Sequence, residues 1–202
     1  MQRPEITVGD TWRFAVENRL SPGTAEETRR VLEVTADRIV CALRSTAAGA
    51  ASGRYVYTRE WNLLVRPALA AAGESAEDAG QWRWSPFYPH FSFPLVEGKQ
   101  WSGTAIVENR ATDTRNAHRY VATVGRARRI SVPAGEFDVL PVRYEADVKS
   151  DDGHAQLAWR NVEVMHYAAA ANLYVQAEHT IVSPDGRLAR DTVARLVEYR
   201  RG

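Results

Sequence analysis

The segment Asp138–Val148, "DVLPVRYEADV", decides the fold class of this 202-residue chain. Apolar and charged side chains alternate along it, with a period of two residues. Such alternation places one face of a β-strand against a core and the other face in water, as in antiparallel sheets. The apolar face carries Leu140, Val142, Tyr144, Ala146 and Val148, and the polar face carries Arg143, Glu145 and Asp147.

Similar alternation recurs along the whole chain, separated by turn sequences such as "TADR" at 35–38 and "SPDG" at 183–186. Short turns of this kind join strands that are antiparallel neighbours in space. Two further turns are "VPAGEFD" at 132–138 and "SDDG" at 150–153. The remaining alternating runs lie at 11–20, 30–35, 38–44, 54–65, 102–109, 118–125, 127–132, 155–166, 173–182 and 191–199.

About ten strands joined by hairpins are expected to twist and curl rather than remain a flat sheet. We therefore predict a mainly β fold: a single strongly curved antiparallel sheet or half-open barrel of about ten strands, with at most one or two short helices. Residues 67–80 indicate a loop or one short helix. Residues 188–201 fit either helix or strand spacing, and their place after "SPDG" favours a final strand. No repeat or linker interrupts the pattern, so residues 1–202 are predicted to form a single β domain.

The composition excludes several classes of function. With 26 basic and 25 acidic residues, the formal net charge is +1, which argues against a nucleic-acid-binding protein. No apolar run approaches the roughly 18 residues that span a bilayer, so the chain is not predicted to be integral to a membrane. A strand begins almost at the first residue, and we expect a targeting segment to precede it in the precursor. The single cysteine, Cys41, excludes an internal disulfide and is predicted to be a buried structural thiol.

Three stretches stand out together: "FPLVEGKQWSG" at 93–103, "ISVPAGEFDVLPVRYE" at 130–145 and "VMHYAAAANLYVQAEH" at 164–179, followed by a closing "ARLVEY". In this order and spacing they resemble an exported bacterial β-protein family of unknown function. The resemblance covers about the C-terminal 110 residues. It departs from the family after Tyr167, where the family has Tyr-x-Pro and this chain has no proline. The residues that match the family's motifs are Pro94, Leu95, Gly98, Lys99, Trp101, Val132, Pro133, Ala134, Gly135, Phe137, Asp138, Tyr167, Val175 and Glu178.

The resemblance implies a protein of the cell envelope whose curved sheet is similar to that of bacterial lipoprotein carriers. It implies no catalytic residues. We therefore expect an exported protein, periplasmic or associated with the outer envelope.

Residues that carry chemistry do not form a recognisable motif. The histidines, at 90, 118, 154, 166 and 179, lack the spacing of a metal site, although His166 and His179 could approach each other across a hairpin. Nucleophile elbows, phosphate loops and dinucleotide fingerprints are absent from the sequence. Asp151, Asp152 and Asp185 occupy turn positions, which explains them without catalysis. We predict no enzymatic activity, no metal and no cofactor.

The basic stretch "RARR" at 126–129 admits two interpretations. It is either a solvated edge strand defended by charge, or a contact for an anionic lipid headgroup or a partner protein.

The aromatic segment, residues 82–94, reads "WRWSPFYPHFSFP". Its prolines at 86, 89 and 94 argue against an ordinary central strand, because proline cannot donate to a β-ladder. Each ring carries about 150–250 Å² of surface that favours burial. The segment could complete the core, line a cavity for a lipid-like ligand, or form an exposed docking surface. In the ligand interpretation the contacts are Trp82, Trp84, Phe87, Tyr88, Phe91 and Phe93.

These observations support two hypotheses about function. The first is a non-enzymatic exported protein that binds a lipid or other hydrophobic small molecule in the mouth of the curved sheet. The alternative is a structural or protein-interaction module that docks an envelope protein through the aromatic segment, without a small ligand. Neither hypothesis involves a nucleic acid.

Overall fold

A computed structural model describes residues 1–21, 23–46, 51–70, 75–151 and 156–202. Over these residues the chain forms thirteen strands, one four-residue helix and one 3-10 turn, which confirms the predicted mainly β class with few helices. The strands are β1 Thr11–Asn18, β2 Thr24–Val34, β3 Arg38–Ser45, β4 Gly53–Thr58, β5 Leu63–Pro67, β6 Gln81–Tyr88, β7 Gln100–Asn109, β8 Thr114–Val124, β9 Arg128–Val132, β10 Gly135–Asp151, β11 Gln156–Ala168, β12 Leu173–Val182 and β13 Leu188–Arg200. The helix α1 is Ala76–Ala79 and the 3-10 turn is Ala169–Ala171.

The sheet closes on itself. Strands β1 to β8 and β10 to β13 each pair with two neighbours in ring order, and every pairing is antiparallel. The ring is completed where β13 pairs with β1. β9 pairs with β10 outside the ring. The prediction of a half-open sheet of about ten strands is therefore wrong: the fold is a closed twelve-stranded barrel with one additional strand.

Two differences in strand assignment account for this closure. The run 54–65 is two strands, β4 and β5, separated by a turn in which Trp61 adopts a left-handed φ of 62°. The aromatic segment also contributes a strand, β6, which lies between β5 and β7. The prolines weaken this strand without excluding it, because its ladder to β7 runs from Trp82 to Ser85 and ends just before Pro86.

The alternation in Asp138–Val148 matches the two faces of β10. The five apolar side chains predicted for the core face are at most 6% exposed. On the outer face, Glu145 pairs with Arg143 and with Arg160 of β11, each at 2.5 Å. The period of two therefore separates the barrel interior from its outer wall, as predicted.

The end of the barrel where β1 begins, here called the upper end, is filled with aromatic side chains. Trp12 makes an edge contact with Trp61 at 5.4 Å between ring centres and stacks on Tyr199 at 5.3 Å. The indole N–H groups of Trp12 and Trp61 donate to the carbonyls of Ala171 and Asn172, at 2.7 and 2.9 Å. Burial of these rings and satisfaction of their polar groups make the upper end a packed core.

Two segments with ambiguous patterns now have assignments. Residues 188–200 are strand β13, as favoured, and residues 67–80 contain the short helix α1.

Within the described residues, no helix is long and apolar enough to cross a membrane. After Tyr167 the chain turns through Ala169–Ala171 and Asn172, whose φ of 55° is left-handed.

The hairpin formed by β9 and the start of β10 folds onto the outer wall. Its turn ends at Gly135, whose φ of 125° suits glycine, and the N–H of Ala134 donates to the carbonyl of Leu196 on β13 at 3.0 Å. This hairpin covers His166, which lies between the inward-facing Met165 and Tyr167 yet is only 1% exposed. The outer wall therefore has a small second layer on β11 to β13.

Candidate functional site

The aromatic segment sends most of its rings into the barrel rather than onto its surface. Tyr88 and Phe91 are buried, and the remaining four rings are half-buried. On β6, Trp82 and Trp84 alternate with the exposed Arg83 and Ser85, so both indoles face inward. The structure thus places five of the six predicted contact residues along the interior, with Trp82 toward the lower end and Phe91 and Phe93 beneath the upper end. Phe87 is half-buried and lies on β6 beside the inward-facing Tyr88, without a ring contact to the described interior group.

Asn62 fixes the segment where it crosses the upper end. Its side-chain amide donates to the Phe91 carbonyl at 2.9 Å and accepts from the Phe91 N–H at 2.8 Å. The rings of Phe91 and Phe93 then pack against Tyr167 at 5.4 and 5.2 Å. Lys99 donates to the carbonyls of Ser92 and Pro94. This part of the segment completes the core, in agreement with the first of its three interpretations.

Below the packed core lies a buried polar group, here called the Glu163 cluster: Tyr88, His90, Asn161, Glu163 and His179. Three hydrogen bonds link it in series: His179 Nε2 donates to Asn161 Oδ1, Asn161 Nδ2 donates to Tyr88 Oη, and Tyr88 Oη donates to Glu163 Oε1, each at 2.7 Å. His90 Nδ1 donates to the Trp61 carbonyl at 3.0 Å. These partners hold the five side chains in defined orientations.

Burial and mutual attraction shift the pKa values of the carboxyl group and of the imidazoles in this cluster. Burial would raise the pKa of Glu163, but His179, His90 and the hydrogen bond from Tyr88 together hold it below its usual value. Burial lowers the pKa of His90 and of His179, and this outweighs the attraction of Glu163. Glu163 Oε2 and His90 Nε2, 3.8 Å apart, both face the interior as acceptors. The pair is therefore suited to bind a hydrogen-bond donor.

An aromatic wall borders the cluster. Trp84 makes edge contacts with Tyr88 and His118, both at 4.6 Å between ring centres, and Tyr144 lies 4.8 Å from Tyr88. Burial lowers the pKa of His118 to about 4, so this imidazole is neutral. The Trp84 indole N–H is buried and has no hydrogen-bond partner. The interior thus combines ring surface with polar groups at mid-height.

A second buried charge is neutralised locally. Arg29 is 7% exposed, and its guanidinium donates to Glu27 and to the Tyr174 hydroxyl, both at 3.1 Å. The same guanidinium lies over the rings of Tyr57 and Tyr174, at 5.4 and 5.6 Å. Because its charge is balanced by Glu27, Arg29 is a structural part of the interior wall, although its Nε has no hydrogen-bond partner.

The histidine pair considered from the sequence does not form. His179 faces inward and joins the Glu163 cluster, whereas His166 faces the outer wall and accepts from Arg128 at 3.3 Å. Among the residues with described positions, no group of three His, Cys, Asp or Glu side chains is arranged to hold a metal ion. His154 and Asp152 lie outside the described residues, and Asp185 accepts from the Arg187 N–H in its turn, as predicted.

The basic stretch at 126–129 is mostly paired. Arg126 lies 3.7 Å from Glu97, and Arg129 makes two hydrogen bonds to Asp138, at 3.0 and 3.2 Å. Arg128 contacts His166. These pairings favour the interpretation of the stretch as a charged, solvated strand.

Solved structures match the chain over nearly its full length. A "putative lipoprotein" from Parabacteroides distasonis ATCC 8503 is 13% identical with a TM-score of 0.57, covering 98% of both chains. A "putative exported protein with YmcC-like fold" from Bacteroides fragilis NCTC 9343 is 14% identical with a TM-score of 0.54, covering 99% of both chains.

The fold is similar to the YmcC-like fold. This likeness confirms, at the level of the fold, the predicted resemblance to exported β-proteins of unknown function. No family model and no curated protein matches the chain.

The sequence analysis missed the Glu163 cluster. Asn161 and Glu163 fall on the same face of β11 as Met165 and Tyr167, which are buried. Polar residues at inward positions of a strand were the available signal. They were not recognised because an open sheet places such positions at a solvated rim, whereas a closed barrel encloses them.

Proposed function

We propose that this protein is a non-enzymatic, exported component of the cell envelope that binds a hydrophobic or amphipathic small molecule inside its barrel. The proposal moves the predicted ligand site from the mouth of a sheet to the interior below the packed upper core. The mouth is occupied by the protein's own side chains, because Phe91 and Leu95 are at most 2% exposed.

The observation that carries the proposal is residual exposed surface on enclosed side chains. Glu163, His90 and His179 lie in the middle of a closed barrel, yet their side chains are 14%, 18% and 26% exposed. A side chain that faces the inside of a closed barrel can be partly exposed only if there is unfilled space beside it. The acceptor pair Glu163–His90 supplies polar contacts at the same level, while Trp82 and Trp84 supply ring surface. Small-molecule sites typically combine an aromatic wall with a few polar groups.

Two further observations support the non-catalytic and exported parts of the proposal. The hydrogen-bond partners of His90, His118, His166 and His179 are a carbonyl, a tyrosine, an arginine and an asparagine, and none is a serine, threonine or cysteine nucleophile. The two structural neighbours are described as a lipoprotein and an exported protein, which supports an envelope location. The docking hypothesis has less support, since none of the six rings is exposed.

The test is titration of the purified chain with dodecanol, a neutral amphiphile, followed by calorimetry and native mass spectrometry. We expect saturable binding of one molecule per chain. Replacing Trp84 by leucine should weaken binding by roughly tenfold, because aromatic anchors dominate such contacts. Trp82→Leu provides a second interior variant if the first does not fold.

The matched control is Val121→Ser, which removes an apolar side chain that is 48% exposed on the outer wall. Its affinity should equal that of the unmodified protein. Absence of saturable binding, or an equal loss in the Val121 variant, would contradict an interior site.

A further inference from the structure

Two arginines on different strands face the interior in the lower part of the barrel, toward the end opposite the upper end. Arg66 on β5 is paired in register with the inward-facing Trp82, and its guanidinium carbon lies 5.8 Å from the Trp82 ring centre. Arg190 on β13 pairs with Ile181, two residues along from the pair between His179 and Thr192, so it shares the inward face of His179. β5 and β13 are separated by β1 to β4 in the ring, which places the two arginines across the interior from each other.

Within the described part of the chain, no carboxylate lies within ion-pair distance of Arg66 or Arg190, in contrast to Arg29 with its partner Glu27. Burial and the proximity of Arg190 lower the pKa of Arg66. The same two arginines add to the effect of burial in lowering the pKa of His179. Positive charge therefore accumulates on the inward face of the lower barrel, and none of the described carboxylates forms an ion pair with it.

Unpaired guanidinium groups in an enclosed, partly dry space attract anions strongly. Arginine presents a planar fork of N–H groups that matches carboxylate and phosphate oxygens. The inward carboxylates Glu163 and Glu27 have other partners: Glu163 accepts from Tyr88, and Glu27 pairs with Arg29. Arg190 is itself exposed, so the pair is accessible from the lower end.

We propose that the lower barrel binds the anionic head group of an amphiphile between Arg66 and Arg190, with its apolar chain against Trp82 and Trp84. This inference rests on the proposed function, because it assumes that the interior admits a ligand. It adds the class of that ligand: a molecule with one carboxylate or phosphate group attached to a hydrocarbon chain.

The experiment compares three probes, dodecanoate, dodecanol and inorganic phosphate, on the unmodified protein and on the variant Arg66→Gln. Dodecanoate should bind about 10- to 100-fold more tightly than dodecanol, as expected for charge-assisted hydrogen bonds. Arg66→Gln should remove most of that difference, because it should weaken the binding of dodecanoate far more than that of dodecanol. The matched control is Arg83→Gln, next to Trp82 on β6 but exposed on the outer face, and it should behave like the unmodified protein.

The outcomes separate the two proposals. Equal affinities for dodecanoate and dodecanol, or an unaltered preference in Arg66→Gln, would overturn the anionic site and leave the proposed function intact. Binding of neither amphiphile would refute both. Phosphate binding that depends on Arg66, without dodecanoate binding, would show a site for small anions and overturn the amphiphile. If circular dichroism shows that Arg66→Gln is unfolded, Arg190→Gln at the exposed rim replaces it with the same criteria.

Discussion

Replacement of Asn62 by alanine tests whether the aromatic segment is fixed by one buried amide. Asn62 and Phe91 are both 2% exposed, and the Asn62 side chain satisfies the N–H and the carbonyl of Phe91. Alanine leaves both backbone groups without a partner in a site that water does not reach. Each unsatisfied group costs about 1–3 kcal/mol, so the loss in the free energy of unfolding should be about 2–6 kcal/mol. That is a large share of the roughly 5–15 kcal/mol typical of a folded domain.

The assay is urea unfolding at pH 7, monitored by tryptophan fluorescence and circular dichroism. Asn18→Ala serves as the control, since Asn18 is exposed and accepts one hydrogen bond from the Leu20 N–H at 2.9 Å. Its loss should stay below about 1 kcal/mol. A loss below about 1 kcal/mol for Asn62→Ala, with an unchanged dependence on urea, would refute the reasoning, because the segment would then be held by ring packing alone.

Three further predictions concern the interior. Stability should fall as the pH is lowered from 7 to 5, because unfolded His118 takes up a proton near its ordinary pKa of 6.5 while folded His118, with a pKa of about 4, stays neutral. In His118→Gln this fall in the free energy of unfolding, obtained from urea unfolding curves, should be smaller by roughly 2 kcal/mol at pH 5. An unaltered pH dependence of stability in this variant would contradict the lowered pKa of His118. Burial raises the pKa of Cys41 to about 12, so this thiol should react with Ellman's reagent only after denaturant is added; rapid reaction of the native protein would disprove its burial. Leu95→Ala, at a position 0% exposed, should lower the free energy of unfolding by about 2–5 kcal/mol in the same urea assay, and a loss under about 1 kcal/mol would mean that the upper core is loosely packed.

The sequence allowed the strand pattern to be predicted but not the closure of the barrel. Alternation in β10 and the turn chemistry of "SPDG" identify strands and hairpins because both depend on local residues. Closure depends on whether β13 reaches β1, a contact between residues such as Tyr199 and Trp12 that no local pattern encodes. The proline rule also misled at β6, since a proline is tolerated where the ladder ends at the residue before it.

The candidate site was predicted in part. The inward indoles of Trp82 and Trp84 belong to the segment selected for its aromatic content, and the expectation that part of it completes the core agrees with Phe91. The charged members of the interior were not selected, because Glu163 and Arg66 resemble ordinary surface residues in a linear sequence. Only the ring of strands shows that they face the same enclosed space.

The pairing of β13 with β1 has a consequence for biogenesis. The hydrogen-bonding edge of the first strand has no partner until the last strand has been delivered, whether from the ribosome or from a translocation pore. Contacts between residues that lie far apart in the sequence slow folding. Until β13 pairs with β1, the unpaired edge of β1 can form hydrogen bonds with other chains. A chaperone that shields this edge should therefore raise the yield of native protein more than one that acts on completed molecules.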